Sequence, residues 1–236
     1  MLFHLFDPDV HACLKNLFTV IALAVGAGPY LAAHALPISP VVVNGSAGFQ
    51  LAGSILNITL LSPQVVINWN SFSIGAGETV KVAGPDDWGI LNRVVGIDPS
   101  LILGNIATPA NFGLINPFGI LAGSQSSVHA GDVLLSSVNV SNVDFIAQAA
   151  DFTGFDYQWT GTEGPLVLDG LVDATAHSMY LAAPTVNCTT CILIADTVFI
   201  DTVPALAPIP SSLALLFAGL AALRAARRLN RRPVPA

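Results

Sequence analysis

Between Val65 and Val140 the apolar residues come in runs of three to six, rich in Val, Ile, Leu and Phe. Gly, Asn, Pro, Asp and Ser separate the runs, and these are the residues that let a chain turn. No window keeps an apolar stripe at helical spacing for three turns, so the pattern predicts strands. Ser54–Leu60 (SILNITL) largely alternates polar and apolar, as a half-buried strand does. Further strand runs are Leu166–Leu168, Met179–Leu181, Cys191–Ile194 and Val198–Ile200. Asp151 to Gly164 is richer in aromatic and polar residues and reads as a loop or a small excursion. Short strands with little helix suit a sandwich, a barrel or a solenoid, and the pattern alone does not choose.

One turn can be read residue by residue. Asn116-Pro117-Phe118-Gly119 has Asn at i, Pro at i+1 and Gly at i+3, the type I β-turn signature. Apolar runs flank it on both sides, so a strand enters and a strand leaves.

Charge divides the chain into three. The 236 residues suffice for one sizeable domain with processed ends. Residues 36–207 carry 13 acidic side chains against Lys81 and Arg93 alone. A phosphate-binding surface needs clustered Lys and Arg, so nucleic acid is excluded as a partner. Residues 1–35 read as a secretory signal peptide. Lys15 precedes the apolar run Leu17–Gly26, and Ala33-His34-Ala35 supplies a small-x-small cleavage pattern, placing the mature start near Leu36. At the other end, residues 204–236 hold a Pro/Ala-rich linker, the apolar run Leu213–Leu223 and five arginines, Arg227 and Arg228 among them. A short apolar helix followed by arginines behaves as a stop-transfer element, and 11 apolar residues suit a transient sorting anchor. The domain between them is taken as residues 36–203.

Candidate chemistry is sparse. Cys188-Thr189-Thr190-Cys191 could be a redox pair, half a zinc site or a local disulfide. No second Cys pair completes a zinc site. The motif sits between strand-like runs rather than opening a helix, and an exported chain meets an oxidising compartment. A disulfide across a tight loop is the reading. No nucleophile-elbow, zinc-protease or phosphate-loop motif is present. Asp86-Asp87 is the only adjacent acidic pair and falls in Gly84-Pro85-Asp86-Asp87, which reads as a turn. The chain is expected not to be an enzyme and to need no cofactor or metal.

Four stretches resemble the haemagglutination-activity, or TPS, domain of two-partner-secretion exoproteins such as filamentous haemagglutinin. They are Ile67–Glu78 (INWNSFSIGAGE), Leu91–Val94 (LNRV), Ser100–Gly104 (SLILG) and Ile115–Ile120 (INPFGI), in the family's order. The family has Asn-Pro-Asn-Gly at the turn, where this chain has Phe118. The resemblance implies an all-β fold, a single-stranded right-handed parallel β-helix. At roughly 20–25 residues per coil that makes on the order of seven coils. An open solenoid end needs a cap, expected within residues 36–64.

The resemblance also implies that Asn68, Trp69, Asn92, Arg93, Asn116, Pro117 and Gly119 form structural turns or are recognised by a transporter. The bland role for Arg93 is to hydrogen-bond neighbouring turns. The implied partner is an outer-membrane transporter with periplasmic POTRA domains. The implied product is an adhesin-like protein at the surface or in the matrix of a Gram-negative bacterium, with a glycan or protein ligand. Alternatives are a β-helix polysaccharide lyase or hydrolase, and a structural anchored envelope protein. The tail resembles a PEP-CTERM sorting signal, cut in that family by an exosortase; here it reads Pro208-Ile209-Pro210, with Ile209 in place of glutamate.

Overall fold

The computed structural model describes residues 35–148, 152 and 154–202. The leader up to His34 and the tail with Pro208, Pro210, Arg227 and Arg228 lie outside the described residues. Among the described residues no helix is long and apolar enough to cross a membrane.

Two strands open the domain, β1 (Val41–Asn44) and β2 (Ala47–Ala52). The chain then winds through about six coils. β3 (Ile55–Leu60) and β4 (Gln64–Trp69) form the first; β5 (Thr79–Ala83), β6 (Gly89–Val94) and β7 (Ser100–Ile102) the second. β8 (Asn105–Ala107), β9 (Asn111–Ile115) and β10 (Ile120–Ala122) form the third. β11 (Ser127–His129) and β12 (Val133–Ser136) lead into an excursion that carries helix α1 (Asn142–Ala147), and β13 (Leu166–Leu168) completes the fourth. β14 (Leu171–Ala182) bends through two faces and, with β15 (Val186–Cys188), makes the fifth; β16 (Ile192–Asp201) is the sixth.

Coil-to-coil pairing is parallel throughout, in one sheet of 12 strands and one of four. The only antiparallel strand pairs among the described residues are β1 on β4 and β2 on β3. The expected cap is therefore this pair of reversed strands, which lies before the first coil. The seven coils expected become about six because residues 41–52 go to the cap and residues 141–165 to the excursion.

Stacking aligns like with like. Leu56, Val80, Ile106, Val128, Val172 and Leu193 occupy equivalent positions on six successive strands. All but Leu193 are buried, and each such side chain contributes about 1.5–3 kcal/mol on leaving water. A second row runs Ile67, Asn92, Leu114, Leu135, Leu181 and Ile200, with one asparagine among aliphatics.

The outer face of one sheet is apolar as well. Val66, Leu91, Ile115, Leu134 and Tyr180 face out beneath Val140, Phe145, Phe152 and Phe155 of the excursion, a second core. This double burial explains the unbroken apolar runs, because a strand covered on both faces has no polar side to alternate with. Gly113 makes the fit: a Cβ there would stand 2.8 Å from Leu91 Cδ1 and 3.4 Å from the Phe152 ring.

Helix α1 escapes sequence reading because it has six residues, fewer than two turns. Its signal is the cap, Ser141, whose hydroxyl accepts the Asp144 N–H at 3.0 Å. Gln64 Nε2 donates to Ile146 O at 3.0 Å and ties the helix to β4.

Candidate functional site

Two of the motif residues, Trp69 and Asn92, form a hydrogen-bonded lattice between coils. Trp69 is fully buried and its indole N–H donates to Asn92 Oδ1 at 3.0 Å. Asn92 Nδ2 donates in turn to Gly113 O at 3.1 Å. One buried amide thus links three successive coils, through β4, β6 and β9. A buried amide is tolerated only when its groups are partnered, and the carbonyl and amino group of Asn92 both are. Phe49 from the cap and Phe72 meet the Trp69 ring edge-on, with centroids 5.8 Å and 5.5 Å away.

Arg93 points the other way, outward beneath the excursion. Its Nε donates to Asn139 Oδ1 at 2.8 Å and its two terminal nitrogens to Asn142 Oδ1 and Val140 O, each at 2.7 Å. Burial lowers its pKa from the ordinary arginine value, yet guanidinium remains charged in proteins. The neighbouring-turn role expected for it becomes an anchor for residues 46 to 49 positions away, which no local pattern could have named. Arg93→Met is expected to cost about 2–3 kcal/mol, because three oxygens lose charge-assisted donors. Limited proteolysis should then cut faster within residues 142–164, and an unchanged cleavage pattern would sink this role. Asn68 is paired with Arg93 in register, and its Oδ1 is buried without a hydrogen-bond partner among the described residues.

The Asn116–Gly119 turn is a junction as well as a turn. Gly119 N–H donates to Asn116 O at 2.9 Å, closing it. Phe118 keeps a negative φ, as type I requires, while Gly119 sits at φ +106°. Asn116 is fully buried. Its Nδ2 donates to Asp98 O and Ser100 Oγ at 3.0 and 2.9 Å, and its Oδ1 accepts the Phe118 N–H at 2.9 Å. The excursion re-enters here: Gly164 N–H donates to Pro117 O at 2.8 Å and Ile120 N–H to Pro165 O at 3.1 Å. A Cβ on Gly119 would lie 2.7 Å from Pro165 O. Phe118 uses only its backbone, and its half-exposed ring accounts for the turn accepting Phe in place of Asn.

Asp86 and Asp87 are exposed in a turn closed by Trp88 N–H on Pro85 O at 3.3 Å. Among the described residues no three His, Cys, Asp or Glu side chains gather as metal ligands would. Cys188 and Cys191 are joined as a disulfide with Cα atoms 5.3 Å apart, at the entrance to the last coil. Replacing both by serine is expected to cost about 2 kcal/mol or less, since the closed loop is very short. Hydrogen exchange should quicken in β16 alone, and global loss of protection would overturn that assignment.

A hollow of about 350 Å³ opens where the excursion meets the last two coils. Phe152, Phe155, Tyr157, Tyr180, Phe199 and Asp201 line it, and the Tyr180 and Phe199 rings stack at 4.9 Å. Burial, then the charge of Asp201 and the neighbouring Tyr180, push the Tyr157 phenol well above its usual range.

The fold is a capped parallel solenoid with one covered outer face, and Trp69, Asn92 and Asn116 are buried within it. Residues 39–190 match the family model of the TPS secretion domain, and the chain belongs to that family. The secretion domain of HMW1 from Haemophilus influenzae is similar in structure, with a TM-score of 0.52 at 22% identity. The match covers 70% of this chain and 42% of that one, so this chain spans less than half the length of that structure. No curated protein matches by sequence. The family's domains serve recognition and transport in two-partner secretion to the cell surface or beyond.

Proposed function

We propose that this chain is an exported exoprotein whose domain engages the POTRA domains of an outer-membrane transporter while unfolded, then folds outside. The observation that carries this is the burial of the motif residues. Trp69, Asn92 and Asn116 are each no more than 0% exposed, so a partner can read their side chains only before the coils close. The antiparallel cap comes first in the chain and gives later coils an edge to add to, which suits a domain that emerges progressively. Folding on the far side then opposes return, because the folded solenoid cannot re-enter a pore as an extended strand.

The leader up to Ala35 directs export, and the Pro208-Ile209-Pro210 tail with its arginines acts as a transient anchor that an exosortase-like enzyme removes. The released domain acts as a small adhesin of the surface or matrix. The hollow beside Asp201, with Phe199 exposed at its rim, supports that last part as a place where a ligand can seat.

Co-expression with a two-partner transporter tests the reading. Wild-type chain is expected in the medium or on the surface only when the transporter is present. Secretion that is independent of the transporter would overturn the proposal.

A further inference from the structure

The carboxylate of Glu78 is almost fully enclosed, with the residue only 5% exposed. It sits where the N-terminal segment crosses the turn between the first and second coils. Its Oε2 accepts the Gly75 N–H at 2.7 Å. Both oxygens accept the Ala35 N–H, at 3.2 and 3.1 Å. The backbone of Glu78 is itself fixed, its N–H donating to Gly75 O and its carbonyl accepting from Asn105 N–H, both at 3.0 Å.

The segment that reaches it is equally fixed. Leu36 is buried in the main core, and Ile38 exchanges hydrogen bonds with the chain at Asn70 and Ser71, at 3.2 and 3.0 Å. Leu36 therefore cannot swing away without emptying a core site. Ala35, by contrast, is the last residue of the expected leader.

Removal of that leader changes the carboxylate's surroundings in two ways at once. Hydrolysis of the Ala35–Leu36 bond consumes one water, leaves a carboxylate on Ala35 and creates an α-ammonium on Leu36. The Ala35 N–H departs with the leader, so Glu78 loses a donor that served both its oxygens. The same cut places a positive group one residue along a chain whose successive Cα atoms are about 3.8 Å apart. The loss and the remedy arise from one bond.

We propose that Glu78 is the receptor for the mature N-terminus: the α-ammonium of Leu36 pairs with its carboxylate and locks the N-terminal segment onto the first coils. This rests on the export reading above, through the leader. An N–H exchanged for an ammonium strengthens the contact, because hydrogen bonds between two charged groups are about twice as strong as neutral ones. Processing thus fixes the segment that leads into β1.

The test uses the full chain as an exporting host releases it. Intact mass first gives the mature start, which must lie within about two residues of Leu36. Its α-amine is then acetylated near neutral pH, where the Lys81 ε-amine stays protonated and unreactive. Acetylation is expected to lower the melting midpoint of the wild-type chain by about 3 °C or more. In Glu78→Gln it should change the midpoint by less than about 1 °C.

Carbodiimide coupling gives a second readout that needs no variant: the N-terminal peptide should be joined to the peptide containing Glu78, with loss of one water. Equal acetylation effects in both proteins, or a coupled product lacking Glu78, overturn the inference while leaving export intact. A leader that stays attached overturns the inference and the export reading together.

Discussion

Trp69→Ala is expected to lower stability by about 3–5 kcal/mol from lost packing alone. The indole is fully buried and meets Phe49 of the cap and Phe72 of the next turn edge-on. Its removal therefore opens a cavity between the cap and the first coil. A second loss adds to the first, because Asn92 Oδ1 is left buried without its donor, at about 1–3 kcal/mol. Natural domains hold about 5–15 kcal/mol in reserve, so this variant is expected to be unfolded or close to it at 37 °C. Trp69→Phe separates the two terms, since it keeps a ring and removes only the indole N–H. Urea titration followed by circular dichroism should show the midpoint falling in the order wild type, Trp69→Phe, Trp69→Ala. A loss below about 1 kcal/mol for Trp69→Ala would mean that the lattice does not depend on the indole.

The second large effect is expected at Asn116. Alanine there removes both donated bonds, to Asp98 O and Ser100 Oγ, and the bond accepted from Phe118 N–H. All of these groups lie at the junction where the excursion returns through Gly164 and Pro165. Stability should fall by about 3 kcal/mol or more, since buried partners are orphaned as well as bonds lost. Asn116→Asp is informative because it keeps the acceptor for Phe118 but cannot donate to the Asp98 carbonyl. Its loss should be comparable to that of alanine. In co-expression with a transporter, the secreted amount should fall together with the measured stability of each variant. Normal stability and normal secretion for Asn116→Ala would show that the turn needs no side chain at this position.

The turn and the strands were legible because their causes are local. Asn, Pro and Gly at fixed offsets determine a turn through their own backbone preferences, and β3 and β13 follow from short apolar patterns. The helix was not legible, because six residues carry too little periodicity to outweigh their neighbours. Nor were the partners of Arg93, since Asn139 and Asn142 enter its reach only after the fourth coil has formed.

Glu78 shows the intermediate case. It stands inside the INWNSFSIGAGE stretch that carries the family resemblance, yet nothing local says that its carboxylate is enclosed against Ala35.

The coils themselves mark the boundary most clearly. Stacked positions run Ile55, Thr79, Asn105, Ser127, Leu171 and Ile192, so the offsets are 24, 26, 22, 44 and 21 residues. A period that varies this much, and once doubles around an excursion, leaves no repeat to detect in the chain. The amino-acid sequence by itself determined strand content, the Asn116 turn, the acidic surface and the expectation of processed ends, because each depends on residues close together or on composition. Tertiary structure alone decided which asparagine belongs among aliphatics, which arginine holds the excursion and where the carboxylate of Glu78 is enclosed. Those outcomes depend on side chains brought together from different coils, where burial makes an unpartnered polar group too costly to keep.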